Sequence, residues 1–452
     1  MEIKKIHIIG IKGWGTSGLA QLLKVRGFDV CGSDMLDAMP SDLVLQKSDI
    51  AVEPFNAENI SDHLDEVIYS TGYPEDHPER ERSRELRIHQ VSYPQAVGEL
   101  FNPMFGISVC GTHGKTTSSA MMAYVLQFCG ADPVALIGSL VPQFDTNVLT
   151  GSSQYFVLET DEYQNKLRYY DPKAVLLTSV EWDHPDFFHS EHEYADAFRA
   201  FLAHKSIQHI VACTDDNGVR DVVLSAHVPP TTYGENVEAD YRLGNYRNEG
   251  EKSVFSIFRH SEYIGDCTLS LIGRHNALNA LGVFALCDVL GVGSTEKIIQ
   301  ALGMFRGTAR RLEYRGTKGI TKVYVDYGHH PTEVRVTLSA LREQFPNQKL
   351  WCVFGSHTFS RTETFFDSFA KSFESVDRVL VLDIYGAREK EGAVHARDLA
   401  EAINTHSHNA EYTGSIDHTL EILDLRAHAS DVLVCMGASE DVWKVAERFL
   451  KN

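Results

Sequence analysis

The chain has 452 residues, 43% of them hydrophobic and 23% charged, which is the composition of ordinary globular protein. That length suits roughly two to four domains. A formal net charge of −20 argues against non-specific nucleic-acid or anionic-membrane partners, which need a basic surface, although a site for a negatively charged small molecule can still be locally basic.

The eight cysteines, at 31, 110, 129, 213, 267, 287, 352 and 435, lie in or beside apolar runs and form no C-x-x-C pair. They read as small buried hydrophobes in a reducing compartment. The N-terminus lacks a signal-peptide pattern, and no apolar stretch approaches the roughly 20 residues that cross a bilayer. A soluble cytoplasmic protein is expected.

Strands alternate with helices along the chain. Ile6 to Ile9 reads as a strand, Ser17 to Val25 as a helix and Val67 to Tyr69 as a strand. The highly charged residues 74–90 read as a solvated surface segment. Phe105 to Cys110 is a strand feeding a glycine loop, and the next helix shows apolar Met121, Met122, Val125 and Leu126. Tyr155 to Leu158 and Ala174 to Thr178 are buried strands. Alternating runs within 228–270, such as Val254 to Phe258, predict antiparallel hairpins, and a helix follows to about Leu290. The last part opens at Val323 to Val325, with Pro331 at a first helical position. The strands Leu350 to Phe354, Arg378 to Leu382 and Val432 to Cys435 then alternate with helices. The expected fold class is α/β with three domains: a Rossmann-like N-terminal domain (1–103), a central P-loop ATPase domain with a mixed sheet (104–309) and a Rossmann-like C-terminal domain (310–452).

The loop Gly111-Thr112-His113-Gly114-Lys115-Thr116-Thr117 sits between strand and helix. Backbone N–H groups and the helix dipole make such a junction a phosphate site. Lys115 supplies charge for the β/γ-phosphates of ATP, and the Thr116 hydroxyl can ligate Mg²⁺. The spacing is shorter than the standard motif, because Val109 stands where its first glycine belongs.

Gly13, Gly15 and Gly18 form a second glycine pattern, with Asp34 about 20 residues on, where dinucleotide folds place a ribose-binding acid. Alone this suggests a dehydrogenase. Beside an ATP loop it reads better as a site for a second nucleotide, such as a UDP-sugar. Glu159 ends a strand and is a credible Mg²⁺ ligand beside Thr116; His184, just past another strand, is a credible ligand for a second metal. His329-His330 invites a zinc reading, but no third ligand lies at metal spacing and H-E-x-x-H is absent.

The order of these motifs resembles the Mur ligase family, the ATP-dependent amide-forming enzymes of peptidoglycan synthesis. The resemblance spans the chain. It is carried by Gly10 to Gly18, Gly111 to Thr117, Glu159 to Glu162, Gly273 to Asn279, Asp326 to Glu333, His357 to Thr362 and Asp383 to Lys390. It implies a UDP-sugar site at Gly13, Gly15, Gly18, Asp34, Ser70 and Thr71. ATP would meet the loop at 111 together with His275, Asn276, Asn279, Arg311 and Asp326. Thr116, Glu159 and His184 would hold Mg²⁺. His330, His357, Arg361 and Arg388 would bind the amino acid. Lys115, Glu159, His184, His330 and Arg361 would carry the catalysis. The expected cofactor set is ATP and Mg²⁺, and the protein would be a monomer or homodimer.

Three departures stand out. Lys12 replaces a usual glycine, Thr160 and Tyr163 alter a usual Glu-Ala-Asp-Glu-Ser, and Ala197-Phe198-Arg199-Ala200 offers no lysine for the carbamylated bridge of several branches. The stretch from Glu162 to Phe188 leans toward the branch that reattaches a recycled tripeptide to UDP-N-acetylmuramate. The C-terminal signatures lean toward the branch that adds L-alanine, and they weigh more because that domain selects the amino acid.

Overall fold

The computed structural model describes residues 3–387, 389–390, 392–428 and 430–451. Its first sheet has five parallel strands in the order Ala51–Pro54, Asp29–Asp34, Lys5–Ile9, Glu66–Tyr69, His89–Ser92. Ile6, Ile8 and Ile9 are all buried, as expected of a parallel strand covered on both faces. The strand order reverses between Lys5–Ile9 and Glu66–Tyr69, so a crevice opens past Ile9 and Tyr69, where doubly wound sheets bind ligands.

The second sheet has ten strands, in the order Glu262–Leu269, Lys252–Arg259, Tyr241–Glu249, Thr231–Gly234, His209–Cys213, Ala174–Leu177, Phe105–Cys110, Tyr155–Glu159, Val134–Val141, Thr146–Thr150. The hairpins expected within 228–270 are present as the antiparallel pairs at one end. Phe105–Cys110 runs parallel to both its neighbours, so Cys110, Glu159 and Leu177 end at one edge. This shared edge places the glycine loop, Glu159 and the Thr178–His184 segment together.

The third sheet has six strands, in the order Glu313–Lys318, Thr321–Asp326, Val432–Gly437, Leu350–Gly355, Arg378–Leu382, Ala410–Gly414. Only the first is antiparallel to its neighbour, and the last strand in sequence inserts beside the second. The helix Pro331–Gln344 does begin with its proline and is capped by the His330 and Glu333 side chains.

The charged segment at 74–90 is a correction. It contains the helix Pro78–Glu85, whose Glu79 is fully buried. The Glu79 carboxylate accepts from Ser33 Oγ, Asn56 N and Asn59 Nδ2, and lies 3.7 Å from His7 Nε2. Those partners come from elements distant in sequence, so local charge density gave no sign of burial.

The seams between domains differ in kind. One apolar cluster runs from Ile8 and Leu19 through Phe101 and Leu136 to Phe156 and Leu177, joining the first two sheets in a shared core. The third sheet has cores of its own, which take in Ile272 of the second domain, and the seam to the second sheet combines the Trp182–Phe365 ring contact with ion pairs and hydrogen bonds. A polar seam is the one that can open and close without exposing a large apolar area.

Candidate active site

The loop at 111 is shaped by two glycines with positive φ. A Cβ on Gly111 (φ +133°) would lie 2.3 Å from Thr178 Oγ1, and one on Gly114 (φ +78°) would lie 2.6 Å from Asn279 Oδ1. The helix Lys115–Phe128 starts immediately after, presenting its unpaired N–H groups to an anion. Lys115 Nζ donates to Gly111 O (2.6 Å), Thr112 O (3.0 Å) and Glu162 Oε2 (2.9 Å). It is folded back over its own loop, poised at the phosphate position.

Two carboxylate groups flank it. Thr116 Oγ1 donates to Glu159 Oε1 at 2.7 Å, and Gly138 N donates to Glu159 Oε2 at 2.6 Å. These are hard oxygen donors of the kind Mg²⁺ takes. Glu162, fully buried, meets Lys115, the Tyr194 hydroxyl at 3.0 Å and His184 Nε2 at 3.6 Å. Burial alone would raise the Asp161 carboxyl, yet Lys166, His184 and Lys115 outweigh it and hold it at about 2. Ligand atoms of Asp161, Glu162 and His184 all lie within 4.8 Å of one another. His184 thus groups with Asp161 and Glu162 more closely than with the Thr116–Glu159 pair expected from sequence. The turn that follows the strand Tyr155–Glu159 carries Asp161 and Glu162 to the segment past Ala174–Leu177, where His184 lies.

The third domain closes on this edge. His113 Nε2 lies 2.9 Å from Glu181 Oε2, and its Nδ1 lies 3.3 Å from Glu333 Oε1. Burial pulls the His113 pKa down, but the two carboxylates override it and push the pKa up to about 9. Thr332 Oγ1 donates to Glu181 Oε1 at 2.8 Å, and His330, 2% exposed, contacts Trp182 O at 3.2 Å. Ligand atoms of His113, Glu181 and His330 form a second tight group, in which the His113 imidazolium pairs with Glu181 and lies against the His330 ring. Arg361 is 3% exposed and donates from Nε to Asp183 Oδ1 at 2.8 Å. It also reaches His357 Nδ1 (3.0 Å) and His184 Nδ1 (3.3 Å). Burial lowers His357 to about 3 and His329 to about 4, so both rings are neutral at pH 7. Arg311 Nη2 donates to Thr116 Oγ1 at 3.2 Å.

Two cavities meet here. One, of about 200 Å³, takes Cys213, Tyr233, Leu278 and Val336 as apolar walls, with His275, Asn276, Asn279, Arg311 and Asp326 as polar ones. Asn276 spends its side-chain amide on Ile272 O, and Asp326 accepts from Gly328 N and Leu312 N, so both shape the pocket through the backbone. The other, of about 510 Å³, runs from Gly13, Gly15, Ser70 and Thr71 to Lys115, Glu159, His184 and His329.

Two expected contacts fall elsewhere. A Cβ on Gly18 would sit 2.3 Å from Leu136 Cδ1 and 2.8 Å from Asn147 Nδ2, so Gly18 serves the packing of the first domain on the second. The Asp34 carboxylate accepts from Lys12 N (2.7 Å), Met35 N (2.8 Å) and the Tyr73 hydroxyl (3.2 Å), leaving it a loop anchor. Arg388 lies outside the described residues. Glu162 and Glu333 lie inside motifs that carry the family resemblance and Asp183 adjoins His184, but the motifs assign none of the three a role. Tyr194 carries no sequence signal either; it reaches the site through the packing of its helix, Glu191–Leu202, ahead of the stretch 197–200 that lacks the bridging lysine.

Three family models cover nearly the whole chain: "Mur ligase family, catalytic domain" over 5–104, "Mur ligase middle domain" over 109–287 and "Mur ligase, glutamate ligase domain" over 310–439. A relative from Desulfitobacterium hafniense, named UDP-N-acetylmuramate–L-alanine ligase, is 37% identical over 98% of both chains. Another of that name, from Clostridium acetobutylicum, is 35% identical over 99% of this chain and 98% of its own. Among solved structures, the UDP-N-acetylmuramate–alanine ligase of Thermotoga maritima shares the fold with a TM-score of 0.83 at 24% identity, covering 99% and 98% of the two chains. A murein peptide ligase from Psychrobacter arcticus gives 0.72 at 22% identity over the same shares. The chain belongs to the Mur ligase family.

Proposed function

We propose that the chain is an ATP-dependent ligase that joins L-alanine to the lactyl carboxylate of UDP-N-acetylmuramate, in peptidoglycan precursor synthesis. The observation that carries this reading is the cavity linking the first domain's glycine loop and Ser70–Thr71 to Lys115, Glu159 and the third domain's His329. Full-length relatives named for L-alanine support the acceptor over a tripeptide. Eight free thiols support a reducing, cytoplasmic setting.

A carboxylate does not react with an amine at neutral pH, because O⁻ leaves poorly. Phosphorylation by ATP gives an acyl phosphate with a good leaving group. Lys115, freed from Gly111 O and Thr112 O, spreads the charge that builds up on the transferring group. Thr116 with Glu159, and Asp161 and Glu162 with His184, would hold Mg²⁺, which supplies further neutralisation of phosphate charge. The alanine amine attacks in its neutral form. His330 and His357 stand nearest the third-domain side, but His357 Nδ1 faces an Arg361 N–H, and His330 donates from Nε2 to Trp182 O while its Nδ1 accepts from Thr332 N, so either ring must give up a hydrogen bond to take the amine's proton. Arg361 and His357 orient the amino-acid carboxylate. The polar seam closes over the acyl phosphate and keeps water from it.

Phosphate release from ATP with UDP-N-acetylmuramate, measured with L-alanine, glycine, L-serine and tripeptide in turn, tests the reading. L-alanine should give the highest kcat/KM. A faster rate with tripeptide, or release without any amine, would overturn it.

A further inference from the structure

The first domain's phosphate-approaching turn carries a side chain where a doubly wound fold ordinarily has none. Gly10 turns sharply at the end of its strand, with φ +77° and a Cβ position only 2.3 Å from the Tyr73 ring. The helix that follows begins at Trp14 with Gly13 as its cap, and Gly15 packs on Tyr93, 2.6 Å from a built Cβ. In structural terms the pattern is therefore Gly10-x-Lys12-x-x-Gly15, with lysine at the position whose glycine usually admits a diphosphate. Lys12 is absent from the residues of positive φ, so its side chain costs no backbone strain.

The Lys12 ammonium is held away from the turn. Lys12 is 8% exposed; Nζ donates to Asp37 O at 2.9 Å and pairs with Asp42 Oδ1 at 3.3 Å. Its backbone joins the same structure, since Lys12 N donates to Asp34 Oδ2 and Ser41 Oγ donates to Lys12 O. Residues 35–42 are thus fastened at both ends to one lysine. The segment leaves the carboxyl end of the strand Asp29–Asp34, beside the crevice, and shows Met35 and Leu36 exposed at 53% and 83%. The Asp34 carboxylate already accepts from three donors inside the turn, and the residues that follow it stand largely exposed beside the crevice.

We propose that Lys12 is a positioning residue for the UDP-sugar: clasped to Asp42 and Asp37, it fixes residues 35–41 as the apolar wall on which the uracil ring lies. This rests on the reading of the first domain as the UDP-sugar site. The ammonium acts through the loop and does not touch the diphosphate.

The test is titration calorimetry of UDP-N-acetylmuramate on the full chain, with steady-state kinetics, for Lys12→Met, Asp42→Asn and the double variant. Either change unfastens the clasp. Each should therefore weaken UDP-N-acetylmuramate binding by about tenfold and raise its KM equally, with the KM for ATP and kcat near wild type. The Lys12–Asp42 pair is shared but Asp42 Oδ2 also accepts from Met39 N, so the double variant should lose less than the two single losses added together, and strictly additive losses would overturn the clasp. Asp42 lies at the surface, so its replacement does not threaten folding. Weakened binding in Lys12→Met alone would mean that the ammonium meets the diphosphate itself and would overturn the clasp. So would unchanged binding in both variants. A wild-type chain that binds no UDP-N-acetylmuramate would instead overturn the functional reading, and this proposal with it.

Discussion

Replacing Asp183 by asparagine should open the enzyme. Asp183 belongs to the second domain and Arg361 to the third; the guanidinium is 3% exposed and its Nε lies 2.8 Å from the carboxylate. Removing one partner of a buried pair costs about 3–5 kcal/mol when the remaining charge stays buried. Here the charge has an escape, because the seam around it is polar and can part to hydrate Arg361. The penalty then appears as lost closure more than lost folding. At the lower end, about 3 kcal/mol shifts the closed-to-open ratio roughly 100-fold. Turnover needs the closed form, so kcat/KM should fall by a similar factor, while the melting of the first two domains, welded by their apolar core, changes by less than about 1 kcal/mol. Phosphate release measures the rate, and small-angle X-ray scattering measures the opening. Adding Arg361→Met removes the stranded charge and should restore compaction without restoring the rate, because Arg361 also serves the substrate. An Asp183→Asn enzyme with wild-type scattering and kcat/KM within about twofold would refute the reasoning.

His113 gives a pH dependence. Burial lowers its pKa but Glu181 and Glu333 raise it to about 9, above the ordinary 6.5. Its stabilising contribution is therefore fully present below pH 6.5 and lost as pH rises through about 9. Melting temperature should fall more steeply above about pH 8 in the wild type than in His113→Gln, and parallel curves would dismiss the ion triad. Lys115→Ala should lower kcat by at least about 100-fold, and near-normal turnover would remove the loop from the chemistry. Glu159→Ala should raise the Mg²⁺ concentration needed for half-maximal ATP binding, followed by fluorescence of a nucleotide analogue; an unchanged Mg²⁺ response would strike Glu159 from the ligands. Gly18→Ala should destabilise the junction of the first two domains by about 1–3 kcal/mol in calorimetry, since its Cβ would overlap Leu136 and Asn147. A neutral result would mean that the seam has slack.

Local pattern made much of this molecule legible. Apolar strands followed by glycine turns, the short phosphate loop at 111, the hairpins within 228–270 and the proline at 331 are features of contiguous residues, and each formed as its sequence indicates. The order of motifs sufficed to name the family. Glu159 beside Thr116 was equally readable, because strand and helix ends on a parallel sheet converge by rule.

What resisted reading depends on distant partners. Glu79 is buried because His7, Ser33, Asn56 and Asn59 surround it, and none lies within its own helix. Gly18 looked like a diphosphate glycine until the second domain's Leu136 was placed against it. Tyr194 enters the site only because its helix packs one particular face inward. The sequence by itself determined most of the elements, the phosphate loop and the family, since those follow from spacing along the chain. Only the tertiary structure decided which carboxylates gather at His184, which acid is spent as an anchor, and which ion pairs join the third domain to the second, because burial and pairing depend on what surrounds a residue in space.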